Sequence, residues 1–435
     1  MKGRLPLVEQ FDQFYGENIK LMPPWFNQLR QESLKHLSNR EFPSVKDEEW
    51  KYTNISSLLQ GTYQIPTDFT LAEIEKFQNY TDKDPVLVVF VNGQFSREYS
   101  RLNNVASGIK ITLLKEALQN NNGLNLQRIL TSYDAQQESV FILLNKVMIK
   151  DGVYITIADK AVSPDLIHIV YLTSNPQKKI ITCPRTLISI GKDAEASILE
   201  SHISFRDDDI YFSNALTDIF AGENSTLHYC KAQKESSKAF HINAIRVAQE
   251  RDSNFNSFVL TSGGAITRNN LDIFLNGEGC SSALNGLYAP YDNQLVDNHT
   301  SVDHRYPNST SNQLYKGILN HAARAVFNGK IFVRSLAQKT NSYQLNKNLL
   351  LGEKCRVDTK PQLEISADDV KCTHGATIGQ LNEEELFYLQ TRCIPKKMAI
   401  KMLARGFVDD VINRMPVKMI REKWNILLKE AMEAI

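Results

Sequence analysis

The alternation of hydrophobic and polar positions changes character twice along the chain, near residues 150 and 380. The stretch 1–150 mixes two rhythms. Pro23-Pro24 opens a predicted helix that runs through Leu37, with Trp25, Leu29 and Leu37 among its apolar positions and Ser38-Asn39 near its end. Val86–Val91 is a continuous apolar run that meets Asn92-Gly93, the pattern of a buried strand entering a turn. Glu138 to Met148 has helical spacing, and Asp151-Gly152 then turns the chain into the β-rich segment Val153–Ile157.

Across 151–380 helical periodicity fades, and short β-rich segments recur between polar turns. Gly191–Ala194, Gly222–Ser225, Glu250–Ser253, Gly277–Cys280, Ala322–Ala325 and Gly352–Cys355 share an outline that ends on a small residue and mostly begins with Gly. Their first positions are separated by 31, 28, 27, 45 and 30 residues. A loose period of this size predicts a β-solenoid, because one coil cannot bury its own inner face whereas stacked coils share a core. A small side chain at each corner lets successive coils stack closely. On this reading the 45-residue interval holds an insertion, the polar run Asp292 to Gln313. A β-sandwich is the competing architecture, but it would alternate more cleanly and turn about every 8–12 residues.

After Gly379 the helical rhythm returns and fills 381–435. Asn382-Glu-Glu-Glu385 has a capping-box outline, and Pro395 suits the first turn of a second helix. Met398, Met402, Leu403, Phe407, Val408, Val411 and Ile412 form a stripe at helical spacing; Pro416 begins a third segment with Ile420, Trp424, Leu427, Leu428 and Met432. Each stripe is expected to pack within its own region, leaving one face of the terminal pair for a partner. The tail is expected to be separable from a soluble solenoid.

Composition narrows the function. Fifty Lys+Arg against 49 Asp+Glu give a net charge of +1, which argues against a broad nucleic-acid footprint. The longest apolar run, Val86–Val91, is far short of a bilayer span, and Met1 to Glu9 lack the apolar core of a secretory signal. The six Cys are scattered without a C-x-x-C pair, so neither a zinc ribbon nor a disulfide framework is expected. The expected setting is cytoplasmic, with reduced thiols. A P-loop, a G-x-S-x-G elbow and an H-E-x-x-H helix are all missing, which tilts the reading away from a self-contained enzyme.

Two constellations carry ligand chemistry. Asp297, His299, Asp303 and His304 place two carboxylates and two imidazoles in eight residues of the expected insertion, although polar loops commonly collect such groups without a metal. In Val370-Lys-Cys372-Thr-His374-Gly-Ala-Thr-Ile378, strand parity turns Cys372 and His374 to one face with Val370, Ala376 and Ile378. Thiol and imidazole are two soft metal ligands, but two ligands do not close a site; a small buried Cys beside a core His is the bland alternative. Packing accounts for Cys280 and Cys355 at corners and for Cys183 and Cys230 in β-segments, while Cys393 reads as a loop thiol.

The stretch Asp358–Gly379, with Leu386-Phe-Tyr-Leu-Gln-Thr-Arg392, resembles the SufB/SufD family of the Suf iron–sulfur cluster assembly machinery, and its SufD branch in particular. Glu48-Glu-Trp-Lys-Tyr-Thr53, Leu144-Asn145 with Asp151-Gly152, and Ala325–Lys330 support the resemblance. It implies a right-handed parallel β-helix between helical ends, a heterodimer with SufB, and docking of the ATPase SufC on the C-terminal helices. It also implies a non-catalytic scaffold with a role in iron delivery, no tightly bound cofactor, and iron or a cluster held transiently in the complex with SufB. His374 matches a histidine needed for cluster assembly near the SufB interface, with Cys372 as its neighbour. The SufB branch is the close alternative, but Leu389 stands where that branch has a cluster-forming Cys. Cys393 replaces a glycine usual in relatives, which argues against a left-handed backbone at that turn. An uncovered solenoid edge further predicts that the isolated chain forms a symmetric homodimer. A β-helix enzyme acting on carbohydrate and a metal-storing homodimer are the readings from other classes.

Overall fold

From Arg185 onward the chain winds into coils of two strands each, and every strand lies parallel to the one a coil earlier. The computed structural model describes residues 22–66, 74–119, 123–133, 135–175 and 178–433. Its first region carries α1 (Pro24–Ser38), α2 (Ser56–Leu59), α3 (Ile74–Thr81), β1 (Val86–Val91), β2 (Gln94–Phe95), β3 (Ile109–Leu113), α4 (Leu114–Gln119), α5 (Gly123–Thr131) and α6 (Val140–Met148). The solenoid begins with β4 (Val153–Ile157), β5 (Val162–Leu172), β6 (Ile180–Thr182), β7 (Arg185–Ile190), β8 (Glu195–Ile203) and β9 (Tyr211–Ala221). It continues through β10 (Thr226–Glu235), β11 (Phe240–Gln249), β12 (Asn254–Gly263), β13 (Ile266–Leu275), β14 (Ser281–Tyr288) and β15 (Leu295–His304). Its last strands are β16 (Thr310–Leu319), β17 (Arg324–Val333), β18 (Asn341–Leu350), β19 (Arg356–Ile365) and β20 (Lys371–Gln380). Then follow α7 (Glu383–Thr391), α8 (Lys396–Asn413) and α9 (Lys418–Glu433).

Even-numbered strands from β8 to β20 stack in one sheet with β1 and β5, and odd-numbered strands from β7 to β19 stack in the other with β4 and β3. This unbroken parallel stacking excludes the sandwich. Inward side chains such as Ile198, Tyr229, Ile245, Phe255, Leu284 and Phe327 fill the lumen as one continuous core. The first region is not separate from the sheets. β1 pairs in parallel with β5, and Asn92 and Gly93, both at positive φ, make the two-residue hairpin to β2.

The corners correct the repeat. Residues 292–313 are not an insertion: they hold all of β15, the next corner, and the start of β16. Corners leading into the even-numbered sheet place Asp193, Asn224, Asp252, Gly279, Asn308 and Lys339 at positive φ, each followed by a buried small residue, from Ala194 to Thr340. Ala322–Ala325 and Gly352–Cys355 lie at the opposite corner, so the six turns belong to two series rather than one. The missing member is Asn308-Ser309, and with it the period stays near 30 throughout.

The tail is helical as expected, but it is not detachable. Val408, Val411, Ile412, Ile420, Trp424 and Leu428 bury themselves against Leu199, Phe258, Leu260, Leu287 and Leu314 on the outer face of the even-numbered sheet. Cutting after Gly379 would strip an apolar face of its cover, so a soluble truncated solenoid is no longer expected. The stripe on α8 divides: Val408, Val411 and Ile412 are buried, whereas Met398 and Met402 remain exposed.

The turn after α7 contains the second correction. Asn382 caps α7 by accepting from the Glu384 N–H, and at the other end Cys393 holds φ 61°. The Ile394 N–H donates to Leu389 O and the Cys393 N–H to Gln390 O, the bond pair of a Schellman stop, which needs a left-handed residue after the cap. This turn therefore does require a positive φ, and Cys393 puts a side chain in a conformation that disfavours one. Cys393→Gly is expected to raise stability by about 1 kcal/mol in urea denaturation; an unchanged or lower midpoint would contradict this geometry.

Candidate functional site

A parallel ladder has to stop, and the two ends of this one stop differently. At the first end the sheets finish on the short antiparallel additions β2 and β3. At the other end they finish on β19 and β20, two ten-residue strands with no neighbour beyond them among the described residues. In a parallel pair, alternate residues turn both N–H and C=O to the same neighbour. The Lys371 N–H donates to Thr340 O, so Cys372, His374, Ala376 and Ile378 turn their main-chain groups to the open edge. The Arg356 N–H donates to Ala323 O, which gives Val357, Thr359, Pro361, Leu363 and Ile365 the same role on β19. Pro361 falls in the outward set and costs the internal ladder nothing.

The side chains of that edge line the mouth of the lumen. Cys372 and His374 stand in register above Ser342 and Gln344, on the face that carries Tyr315 and Leu319 into the core two strands lower. The expected parity therefore places both on one face, yet their surroundings differ. His374 is exposed. Cys372 is half-buried against Ile331, Val333 and Leu363, and burial pushes its thiol up, away from thiolate. Ile378 is 47% exposed and Ile365 42% exposed, unusual for aliphatic side chains at a sheet end.

The other constellation separates. Asp303 takes Arg305 and Arg334, while His304 lies in the lumen against the Ser311 hydroxyl, 2.9 Å away. Asp297 and His299 stay together, with His299 Nε2 2.9 Å from Asp297 Oδ1, as part of an ion-pair network. Burial opposes the His299 charge, but Asp297 outweighs it and raises the imidazole above its ordinary range. Among the described residues, no group of three or more ligating side chains could hold a metal ion.

That network belongs to a clamp which sequence reading did not foresee. Glu49 binds Lys330 at 2.6 Å and His299 at 3.3 Å, and the Thr53 hydroxyl donates to Asp297 at 2.6 Å. The Arg268 guanidinium lies 3.9 Å over Trp50 and donates to Glu49 O at 2.7 Å, and Glu48 pairs with Lys360. The hydrogen bond from His299 and the Lys330 charge outweigh burial and hold Glu49 down at about 2. One short segment thus crosses β13, β15, β17 and β19, and ends on the open strand.

Asp84, His168 and Ser201 are spaced like a hydrolase triad, with Asp84 Oδ2–His168 Nδ1 and His168 Nε2–Ser201 Oγ both 2.7 Å. All three are buried, and the Tyr80 hydroxyl sits 3.0 Å from Ser201 Oγ. No substrate reaches the serine; with Lys423 3.2 Å from Asp84, the group ties α9 to the sheet instead. Beyond the open edge, α7 presents Phe387 and Tyr388, 68% and 56% exposed, beside the exposed Met398 and Met402 of α8.

The comparisons agree with this architecture. Residues 171–407 match the SufBD core domain of the SUF system for FeS cluster assembly, and residues 6–169 match the SufBD protein N-terminal region. The iron-sulfur cluster assembly protein SufD of Escherichia coli (strain K12) is 30% identical over 402 residues, covering 92% of this chain and 90% of the relative. An iron-sulfur cluster assembly SufBD family protein of Synechocystis is 30% identical over 404 residues, 90% of this chain and 88% of the relative. A chloroplastic protein of Arabidopsis thaliana is 27% identical over 430 residues, 96% and 89% respectively. With both family regions spanning the first zone, the solenoid and the start of the helical tail, the chain belongs to the SufBD family of iron–sulfur cluster assembly proteins.

Proposed function

We propose that this chain is the SufD-type subunit of a cytoplasmic Suf complex: a non-catalytic scaffold that pairs with SufB, carries SufC and helps deliver iron during cluster synthesis. The observation that carries the reading is the open last coil. Two ten-residue edges with outward main-chain groups and exposed Ile365 and Ile378 form a template for another parallel stack. SufB, the related subunit, is the partner proposed to continue both sheets; without it, two copies of this chain meet through the same edges as a homodimer.

His374 lies at that junction, exposed at the lumen mouth, and serves as an iron ligand completed by SufB. Cys372 plays the lesser part, since its packed, protonated thiol is a poor ligand until the environment changes. Iron is cargo here, held only when both subunits are present. His374→Ala is expected to fold, to show the parent dimer by light scattering when isolated, and to bind SufB and SufC, yet to fail in cluster assembly in cells. Cys372→Ala should be milder. Loss of SufB binding in His374→Ala would make the histidine structural; full cluster assembly would remove it from the site.

SufC is placed on the exposed apolar surface of α7 and α8. Large apolar side chains more than half exposed, such as Phe387, Tyr388 and Met398, are typical anchors for a partner. The double change Phe387→Asp with Met402→Asp touches none of the buried helix–sheet contacts and should weaken SufC binding at least about 30-fold, as loss of a hot spot does. Undiminished binding in a pull-down or calorimetric titration would move the docking site elsewhere.

A further inference from the structure

The lumen beneath His374 holds a glutamine that the isolated chain leaves without a partner. Gln344 is 0% exposed, and both atoms of its side-chain amide, Oε1 and Nε2, lack a hydrogen bond. The β-register puts it directly under His374 and directly over Gln313. Its amide reaches across the lumen toward the opposite sheet, where a methyl group on Gly329 would stand 1.7 Å from Gln344 Nε2. Absence of a side chain at Gly329 is therefore what makes room for it. One coil lower, Gln313 Nε2 donates to the Thr300 hydroxyl at 2.6 Å, while Gln313 Oε1 is also buried without a donor.

A buried primary amide with neither donor nor acceptor engaged is destabilising, and Leu would fit the same lumen at lower cost. These loose ends complement one another. Gln313 Oε1 lacks a donor, Gln344 Nε2 lacks an acceptor, and Gln344 Oε1 lacks a donor. Of the two register neighbours of Gln344, Gln313 already donates to Thr300, which leaves the imidazole of His374 to supply the last.

We propose that Gln344 is the positioning residue of His374. When a partner covers the lumen mouth and removes water from the imidazole, Gln344 donates to Gln313 Oε1 and accepts the ring N–H of His374. The column Thr300–Gln313–Gln344–His374 then runs in one direction, and each member holds the orientation of the next. An imidazole whose one nitrogen is tied as a donor carries its free lone pair on the other, which fixes the tautomer suited to a metal. Gln344 touches no iron itself and acts only through the histidine. This inference rests on the proposed role of His374 at the junction with SufB.

The test uses the full-length heterodimer with SufB and three variants of this chain. Gln344→Leu keeps the volume and removes the amide; Gln344→Glu keeps an acceptor toward the imidazole; His374→Ala assigns the histidine signal. Nitrogen NMR of labelled histidine reads the tautomer, and titration with ferrous iron reads affinity. Gln344→Leu is expected to form the heterodimer with undiminished thermal stability, to redistribute the His374 tautomers and to weaken iron binding about tenfold or more, with Gln344→Glu restoring both. An unchanged tautomer in Gln344→Leu overturns the inference, whatever the iron affinity. A tautomer that follows residue 344 while iron binding ignores both Gln344→Leu and His374→Ala supports the positioning contact and rejects the iron role of His374. Should Gln344→Leu fail to fold, Gly329→Ala, which displaces the same amide, must give the same tautomer change or the inference falls.

Discussion

Each coil of this protein is held by the coil below it, through parallel hydrogen bonds and through side chains that share one lumen. That dependence cannot be satisfied at the ends, where a strand has only one neighbour and an inward side chain has no layer above it. The chain resolves one end itself: β1 and β3 extend the sheets, β2 is only two residues long, Phe77 of α3 packs on Leu87 and Val89 of β1, and other helices of the first region pack on the outer face of the odd-numbered sheet. The other end stays unresolved. Its strands are regular, long and exposed, and His374, the proposed iron ligand, lies on the last of them.

The rest of the molecule stabilises that end while leaving it open. The Glu48–Thr53 segment binds side chains on four successive strands, the last being Lys360 on β19. Although its individual ion pairs are modest where solvent reaches them, the clamp is geometric. It fixes the spacing of the final coils so that the edge offers a template of defined register. On the opposite sheet, α8 and α9 cover the apolar outer face, and Lys316 joins them by donating to Phe407 O at 2.7 Å and pairing with Asp410 at 2.7 Å. The helix α8, which helps shield the solenoid, also displays Met398 and Met402, so this part of the surface proposed for SufC is anchored to the sheet rather than hung on a linker.

The sequence carried more of the fold than of the site. Coil stacking was legible because a small residue must follow every corner: Ala194, Ser225, Ser253 and Cys280 are all buried. The apparent insertion arises because the small fourth residue recurs at both corners, whereas the third position, where Asp193, Asn224, Asp252, Gly279 and Asn308 share positive φ, marks one corner series. Short polar residues and glycine tolerate that conformation, and this signal would have found the corner at Asn308. Parity alone placed Cys372 and His374 together. It had no means of telling that one is packed and the other exposed, because that depends on Ile331, Val333 and Leu363, which lie on other strands. The contacts of Gln344 and Glu49 were not legible for the same reason: their partners are distant in sequence and near only through the ladder.

The outward main-chain groups of β20 are the proposed interface. Amide hydrogen exchange at Cys372, His374, Ala376 and Ile378 reads it directly, since their N–H groups face the open edge while those of Thr373, Gly375 and Thr377 are already bonded to β18. Adding SufB to a dilute sample should slow the first set strongly and leave the second nearly unchanged. A stable complex in which the first set still exchanges freely would contradict the account.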